Sequence, residues 1–205
     1  MKTLLSGVAA LAASGLVLTG LALASGGPEP TAPSSTLAAY SVDVGHSSVV
    51  FKTKHVGVAE FFGRFNKVDG EVVYDSEKPT DSKVTIEIPV DSIDTNSAQR
   101  DGHLKSADFF SAKEFPKLTF ESKSVAMDGD TMLVTGDLTV RDTTKEVVAN
   151  VVKIGEGEAM RAYRAGFTAH FEIDMTEFGF QFVEQNPGAL GPEVEIWVAL
   201  ELTRD

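Results

Sequence analysis

The sequence contains no cysteine. That excludes disulfides, thiolate catalysis, Cys-based zinc sites and a lipid-modified cysteine near the N-terminus. Histidine is scarce: of His46, His55, His103 and His170, none has a partner at the i+2 or i+4 spacing of local metal ligands. No metal and no cofactor are expected, although ligands meeting across the fold stay open. There is no G-x-S-x-G motif. In His46-Ser47-Ser48, strand neighbours point to opposite faces, so a Ser–His dyad is not expected and the hydroxyls should bond backbone. Basic residues are also few, 18 against 30 acidic, for a net charge of -12. Such a surface argues against nucleic acid and against charge-driven binding to anionic membranes.

Charge is almost absent from one segment. After Met1-Lys2, the apolar run Leu4 to Ala24 ends in Ala22-Leu23-Ala24, an A-x-A exit pattern. Residues 1–24 therefore read as a signal peptide of a periplasmic or secreted protein. The run is also long enough to span a bilayer, so an uncleaved N-terminal anchor is the competing reading. Residues 25–39, opening "SGGPEPTAPSST", form a Pro-, Gly- and Ser-rich tether that cannot bury a core. One domain follows, residues 40–205, with no stable membrane insertion expected of it.

Most of that domain alternates with period two, the mark of half-buried strands. "VVFKTKH" places Val49, Phe51, Thr53 and His55 on one face; "KVTIEIPV" does the same for Val84, Ile86, Ile88 and Val90. Leu138, Phe167, Phe171 and Ile196 lie on the inward faces of "TMLVTGDLTV", "AGFTAHFEI" and "EVEIWVALEL". Asp128-Gly129-Asp130 reads as a hairpin turn. About eight antiparallel strands joined mostly by short connections predict an all-β sandwich or barrel, and closure, which removes exposed edges, favours the barrel.

One interval interrupts the pattern, Ile93 to Phe115. Asn96, with Gln99 three residues on, suggests an N-cap and a short helix from about Ser97 to Lys105. This helical insertion carries "RDGHLKSADFF", whose Arg100, Asp101, His103, Lys105 and Asp108 precede Phe109 and Phe110. Its charges read as surface pairing, ligand contacts at a rim, or catalysis, with surface pairing favoured. Phenylalanines also concentrate at Phe61, Phe62 and Phe65, and at Phe178, Phe180 and Phe182. Adjacent pairs cannot both face one core, so Phe62, Phe65, Phe109 and Phe110 are placed at the rim of a barrel end. An eight-stranded barrel either fills itself or holds one small ligand. Small inward residues, Gly136, Ala165 and Ala169, are expected to leave room. The resulting elongated apolar lumen suits a lipid-like chain.

The blocks "YSVDVGHSSVVFKTKHVGVAEFFGRF", "RDGHLKSADFF", "FPKLTFES", "VTGDLTVRDTTKEV" and "FEIDMTEFGF", in this order, resemble the YceI-like proteins from Tyr40 to Leu202. The resemblance implies a small exported protein with a lipocalin-like antiparallel barrel. It implies binding of a polyisoprenoid or other long-chain amphiphile in the lumen, for transport, storage or sequestration, and no enzyme activity. Two positions depart from the pattern. Met175 stands where a basic residue is frequent, and Asp142 where a small glycine is common. On this reading the tail lies against Val49, Phe51, Val84, Ile86, Phe120, Leu138, Phe167, Phe171 and Ile196, and Arg100 and His103 meet the head group. The partner is an isoprenoid or fatty-chain lipid. Oligomeric state is left open, a homodimer included. Two other classes remain: a stress-response or interaction module using the barrel as scaffold, and an enzyme acting on isoprenoid quinones.

Overall fold

The computed structural model describes residues 37–204; the signal-peptide or anchor segment and nearly all of the tether lie outside the described residues. In chain order the strands are β1 (Ala38–Val42), β2 (Ser48–His55), β3 (Ala59–Phe65), β4 (Asp69–Tyr74), β5 (Lys83–Pro89) and β6 (Ile93–Asp94). After helix α1 (Ala98–Leu104) come β7 (Lys117–Asp128), β8 (Thr131–Val140), β9 (Thr143–Ala159) and β10 (Ala162–Asp174). A 3-10 turn at Met175–Phe178 and helix α2 (Gln181–Gln185) precede β11 (Glu193–Arg204). β8 shows why these segments are strands. Every second residue, Met132 to Val140, is buried and the others are half-exposed.

Among the described residues all pairings between these strands are antiparallel, and they close a ring of eight. β1 and β2 both pair with β11, on successive stretches of it, and so act as one strand with a break. β3 with β4, and β5 with β6, are interrupted in the same way. The strands thus follow one another up and down, and β1 seals the barrel against β11 through Tyr40–Arg204 and Val42–Leu202. At the first break Ser47 substitutes for backbone. Its Oγ accepts from Glu201 N at 3.0 Å and donates to Glu201 O at 3.3 Å. The expected bonding of these hydroxyls to backbone is thus found at Ser47.

Three expectations need correction. β1 begins at Ala38, inside the segment read as tether, because small alanines conceal a strand whose Ala38, Tyr40 and Val42 are buried. The cap of α1 is Ser97, whose side chain accepts from Arg100 N at 3.4 Å. Asn96 instead turns the chain at φ 61, a left-handed conformation that asparagine tolerates. And a second non-strand interval, 175–192, joins α1 at the same barrel end. The breakers Gly179, Pro187, Gly188, Gly191 and Pro192 signal it in the sequence.

Candidate functional site

The barrel encloses a cavity of about 390 Å³, within the range of small-molecule sites. Its wall is almost wholly apolar. Val49, Phe51, Val84, Ile86, Phe120, Leu138, Phe167, Phe171 and Ile196 all line it; strand alternation assigns the inward face of all of them but Phe120. The room does not come from small residues alone. A Cβ on Gly136 would sit 2.5 Å from Phe120 Cζ, and one on Gly63 would sit 2.2 Å from Phe51 Cζ. These two glycines seat phenylalanine rings flat against the wall, which corrects the expectation that Gly136 opens space. Ala169 does line the cavity.

Four exposed residues line the cavity, His55, Ala59, Glu60 and Arg100, and all lie at the end that carries α1. That end is the mouth. Beside it lies a cap of rings contributed by both non-strand intervals. Phe109 approaches Phe182 at 4.8 Å and Phe180 at 6.3 Å between centroids; Phe110 meets Phe180 edge-on at 5.2 Å, and Phe65 meets Phe110 at 5.9 Å. Such pairs contribute about 0.5–1.5 kcal/mol each beyond their burial. Toward the opposite end, Tyr74 and Phe167 meet edge-to-face at 5.0 Å.

The predicted rim is therefore revised. Phe65 and Phe109 are 5% and 4% exposed and form the cap rather than an open edge. Phe110 is half-buried in the same cluster. Phe62 does not line the cavity. It is 55% exposed on the outer face of β3, and its neighbour Phe61 takes the inner position. Adjacent strand residues must diverge: Phe62 shares the outward face with Glu60 and Arg64, and Phe61 the inward face with Gly63 and Phe65.

Arg100 and His103 also separate. Arg100 lines the mouth, its guanidinium carbon 4.4 Å from the centre of the Phe61 ring. Its Nε donates to Thr95 Oγ1 at 2.8 Å and Nη2 to Thr95 O at 2.5 Å. Asp101 in turn accepts from Thr95 N at 2.9 Å and from its Oγ1 at 2.5 Å. The threonine is buried, so this network holds the guanidinium in place, while Nη1 has no hydrogen-bond partner among the described residues. His103 is absent from the cavity wall. It bonds Asp108 at 3.0 Å and lies edge-on to Phe109 and Phe182, an outer strut of the cap. Glu60 is the other charged residue of the lining, and Lys52, 3.1 Å away, offsets it. Among the described residues, Arg100 is the cation of the mouth that has no carboxylate partner.

A second cluster lies outside the cavity, on the outward side of β11, where Glu201 alternates with the lining residues Leu200 and Leu202. Asp43 and His46 meet Glu201 from a remote part of the chain, as ligands meeting across the fold would, but the guanidinium of Arg164 already binds both carboxylates. Its Nη1 is 2.8 Å from Asp43 and 2.5 Å from Glu201. The hydrogen bond from Arg164, and then that from His46, holds the Asp43 carboxyl well below the usual range. The hydrogen bond to Asp43 raises His46. A raised histidine stabilises the fold below its unfolded value of 6.5, and the gain is lost as pH rises through the folded value. Urea midpoints should therefore fall modestly from about pH 5.5 to about pH 8.5, and His46→Asn should flatten this change. An unaltered slope in His46→Asn would refute the coupling.

The comparisons with known proteins agree with this architecture. Residues 40–202 match the family model described as the YceI-like domain. The chain belongs to the YceI family. The protein YceI of Escherichia coli is 36% identical over 174 residues, covering 83% of this chain and 90% of that one. A UPF0312 protein of Photorhabdus laumondii is 36% identical over 176 residues, 84% and 90% of the two chains. Among solved structures, Burkholderia cenocepacia BcnA superposes with a TM-score of 0.72 at 25% identity, over 78% of this chain and 98% of its own. A domain of Saccharophagus degradans described as polyisoprenoid-binding, and implicated in plant cell wall breakdown, superposes at 0.62. It is 16% identical and is covered in full by 83% of this chain. Within the YceI pattern, the two departures have distinct fates. Met175 is buried and lines the cavity, so the position where a basic residue was expected supplies an apolar side chain. Asp142 shares a two-residue turn with Arg141, and Arg141 takes the positive φ of 58.

Proposed function

We propose that this protein holds a polyisoprenoid or a similar long-chain amphiphile in its barrel, for transport, storage or sequestration after export to the periplasm. The observation that carries the reading is the cavity itself: a deep apolar wall with an unpaired cation at its mouth. Each methylene moved from water into such a wall contributes about 0.8 kcal/mol, so a chain of modest length binds well without a dense polar site. The description of the Saccharophagus domain supports the ligand class. Arg100 selects the head group: a phosphate, carboxylate or carbonyl oxygen would accept from Nη1 while the tail runs past Phe61 into the lumen. This is a binding role, and no bond-making step is assigned to the site.

Native mass spectrometry of protein purified from its host without detergent tests both parts. The wild type should carry an adduct with the mass of a long-chain amphiphile. Arg100→Ala should lose about tenfold in affinity, the value of one charge-assisted hydrogen bond, and leave much of the protein empty. Adduct-free wild type that also refuses added polyprenyl phosphate would overturn the proposal.

A further inference from the structure

The hairpin joining β2 to β3 has an unusual tip. His55-Val56-Gly57-Val58 turns with a hydrogen bond from Val58 N to His55 O at 3.1 Å. Val56 and Gly57 both have positive φ, 45 and 70. Asparagine is the favoured residue for the first of these positions, and a β-branched residue there is strained. The strained valine is 49% exposed and Val58 is 82% exposed. The turn therefore presents two branched apolar side chains to solvent on a tight, convex tip.

Its position matters more than its composition. The same hairpin contributes His55, Ala59, Glu60 and Phe61 to the cavity mouth. Val56 N donates to Ala189 O at 3.1 Å, and Gly191 N to Lys54 O at 2.8 Å, so the tip is tied to the loop that brings Leu190 to the cavity wall. An apolar projection thus stands directly beside the entrance to an apolar cavity. A narrow convex tip has no pocket to receive a partner's side chain. It fits a medium that deforms around it and that already dissolves the cavity's ligand.

We infer that the Val56–Val58 tip inserts into the surface of a phospholipid bilayer and brings the mouth against it, so that an amphiphile passes between membrane and lumen without crossing water. This rests on the proposed function, because a docking tip serves only a cavity that receives an apolar molecule. The acidic net charge directs the tip to a surface of low charge, and apolar insertion supplies the attraction. Met160, 72% exposed in another positive-φ turn, lies at the opposite end of the barrel and offers an internal control.

The absence of cysteine makes the test direct. Val58→Cys and Met160→Cys, made separately in the full chain, each give a single site for an environment-sensitive fluorophore. On addition of phosphatidylcholine vesicles, the probe at 58 should shift to the blue and the probe at 160 should not. Equal shifts at both sites would mean adsorption through another segment, and no shift at 58 would mean that the tip serves a protein partner or nothing. Either outcome overturns the inference. The paired change Val56→Asn, Val58→Ser relieves the turn and should preserve the fold. It should slow ligand transfer from vesicles about tenfold or more, with equilibrium occupancy unchanged. Native mass spectrometry of the same samples separates the two claims. An empty lumen with a shifted probe defeats the proposed function, and a filled lumen with an unshifted probe defeats the docking tip.

Discussion

Phe109→Ala is expected to cost about 3–5 kcal/mol of stability, the range for a large ring deleted from a packed core. Phe109 is 4% exposed, lines the cavity and touches Phe180, Phe182 and His103. Among the described residues no strand pairing joins the interval 95–115 to the interval 175–192; these rings do. Removing the central ring leaves a void where two irregular segments meet, and neither has a ladder of its own with which to collapse. Two readouts follow. The urea midpoint drops strongly, and a bound amphiphile leaves faster than from the wild type, because the cap opens more often. Phe109→Leu, which keeps much of the volume, should recover most of the stability. A midpoint within about 1 kcal/mol of wild type for Phe109→Ala would show that the cap contributes little to the fold.

Ala169→Trp should empty the cavity while the barrel survives. Ala169 lines the lumen on β10, opposite Val198 of β11. An indole projecting from it enters open space, so overpacking should cost less than the about 1–3 kcal/mol typical of filled cores. Ligand loses what the ring displaces. Five methylenes correspond to about 4 kcal/mol, or roughly a thousandfold in Kd. The expected result is a variant with a near-native unfolding midpoint, no co-purifying adduct and no capture of added polyprenyl phosphate. Undiminished capture would place the ligand outside the lumen. The result also separates the carrier from a scaffold role, since a barrel that only displays its surface should function normally with a filled interior.

How far the site could be read from the sequence depended on which physical rule governed each residue. Phe51, Ile86, Leu138 and Phe167 lie in regular strands. Period-two alternation assigns their faces without knowledge of the partner strand, and they line the cavity as expected. Phe61 and Phe62 are adjacent, so alternation requires one inside and one outside; the charged Glu60 and Arg64 share the face of Phe62, which pairs with Lys52 and points outward. Arg100 and His103 are neighbours at helical spacing, yet Thr95 draws one to the mouth while Asp108 and two rings hold the other outside. Gly63 and Gly136 show the limit most directly. Gly136 looks like free space in sequence, yet both glycines are covered, each by the ring of its cross-strand partner or a near neighbour.

The sequence by itself determined the strand-rich class, the inward faces, the position of one helical insertion and, through the order of its blocks, the family. The first three follow from local rules of period, turn chemistry and charge that act within a few residues; the family rests on the resemblance of those blocks. Only the tertiary structure decided that β1 seals against β11, that a second interval completes the cap, and that Arg100 remains unpaired by a carboxylate at the mouth beside an apolar tip. Each of these depends on register between segments remote in the chain, where one residue's shift exchanges inside for outside.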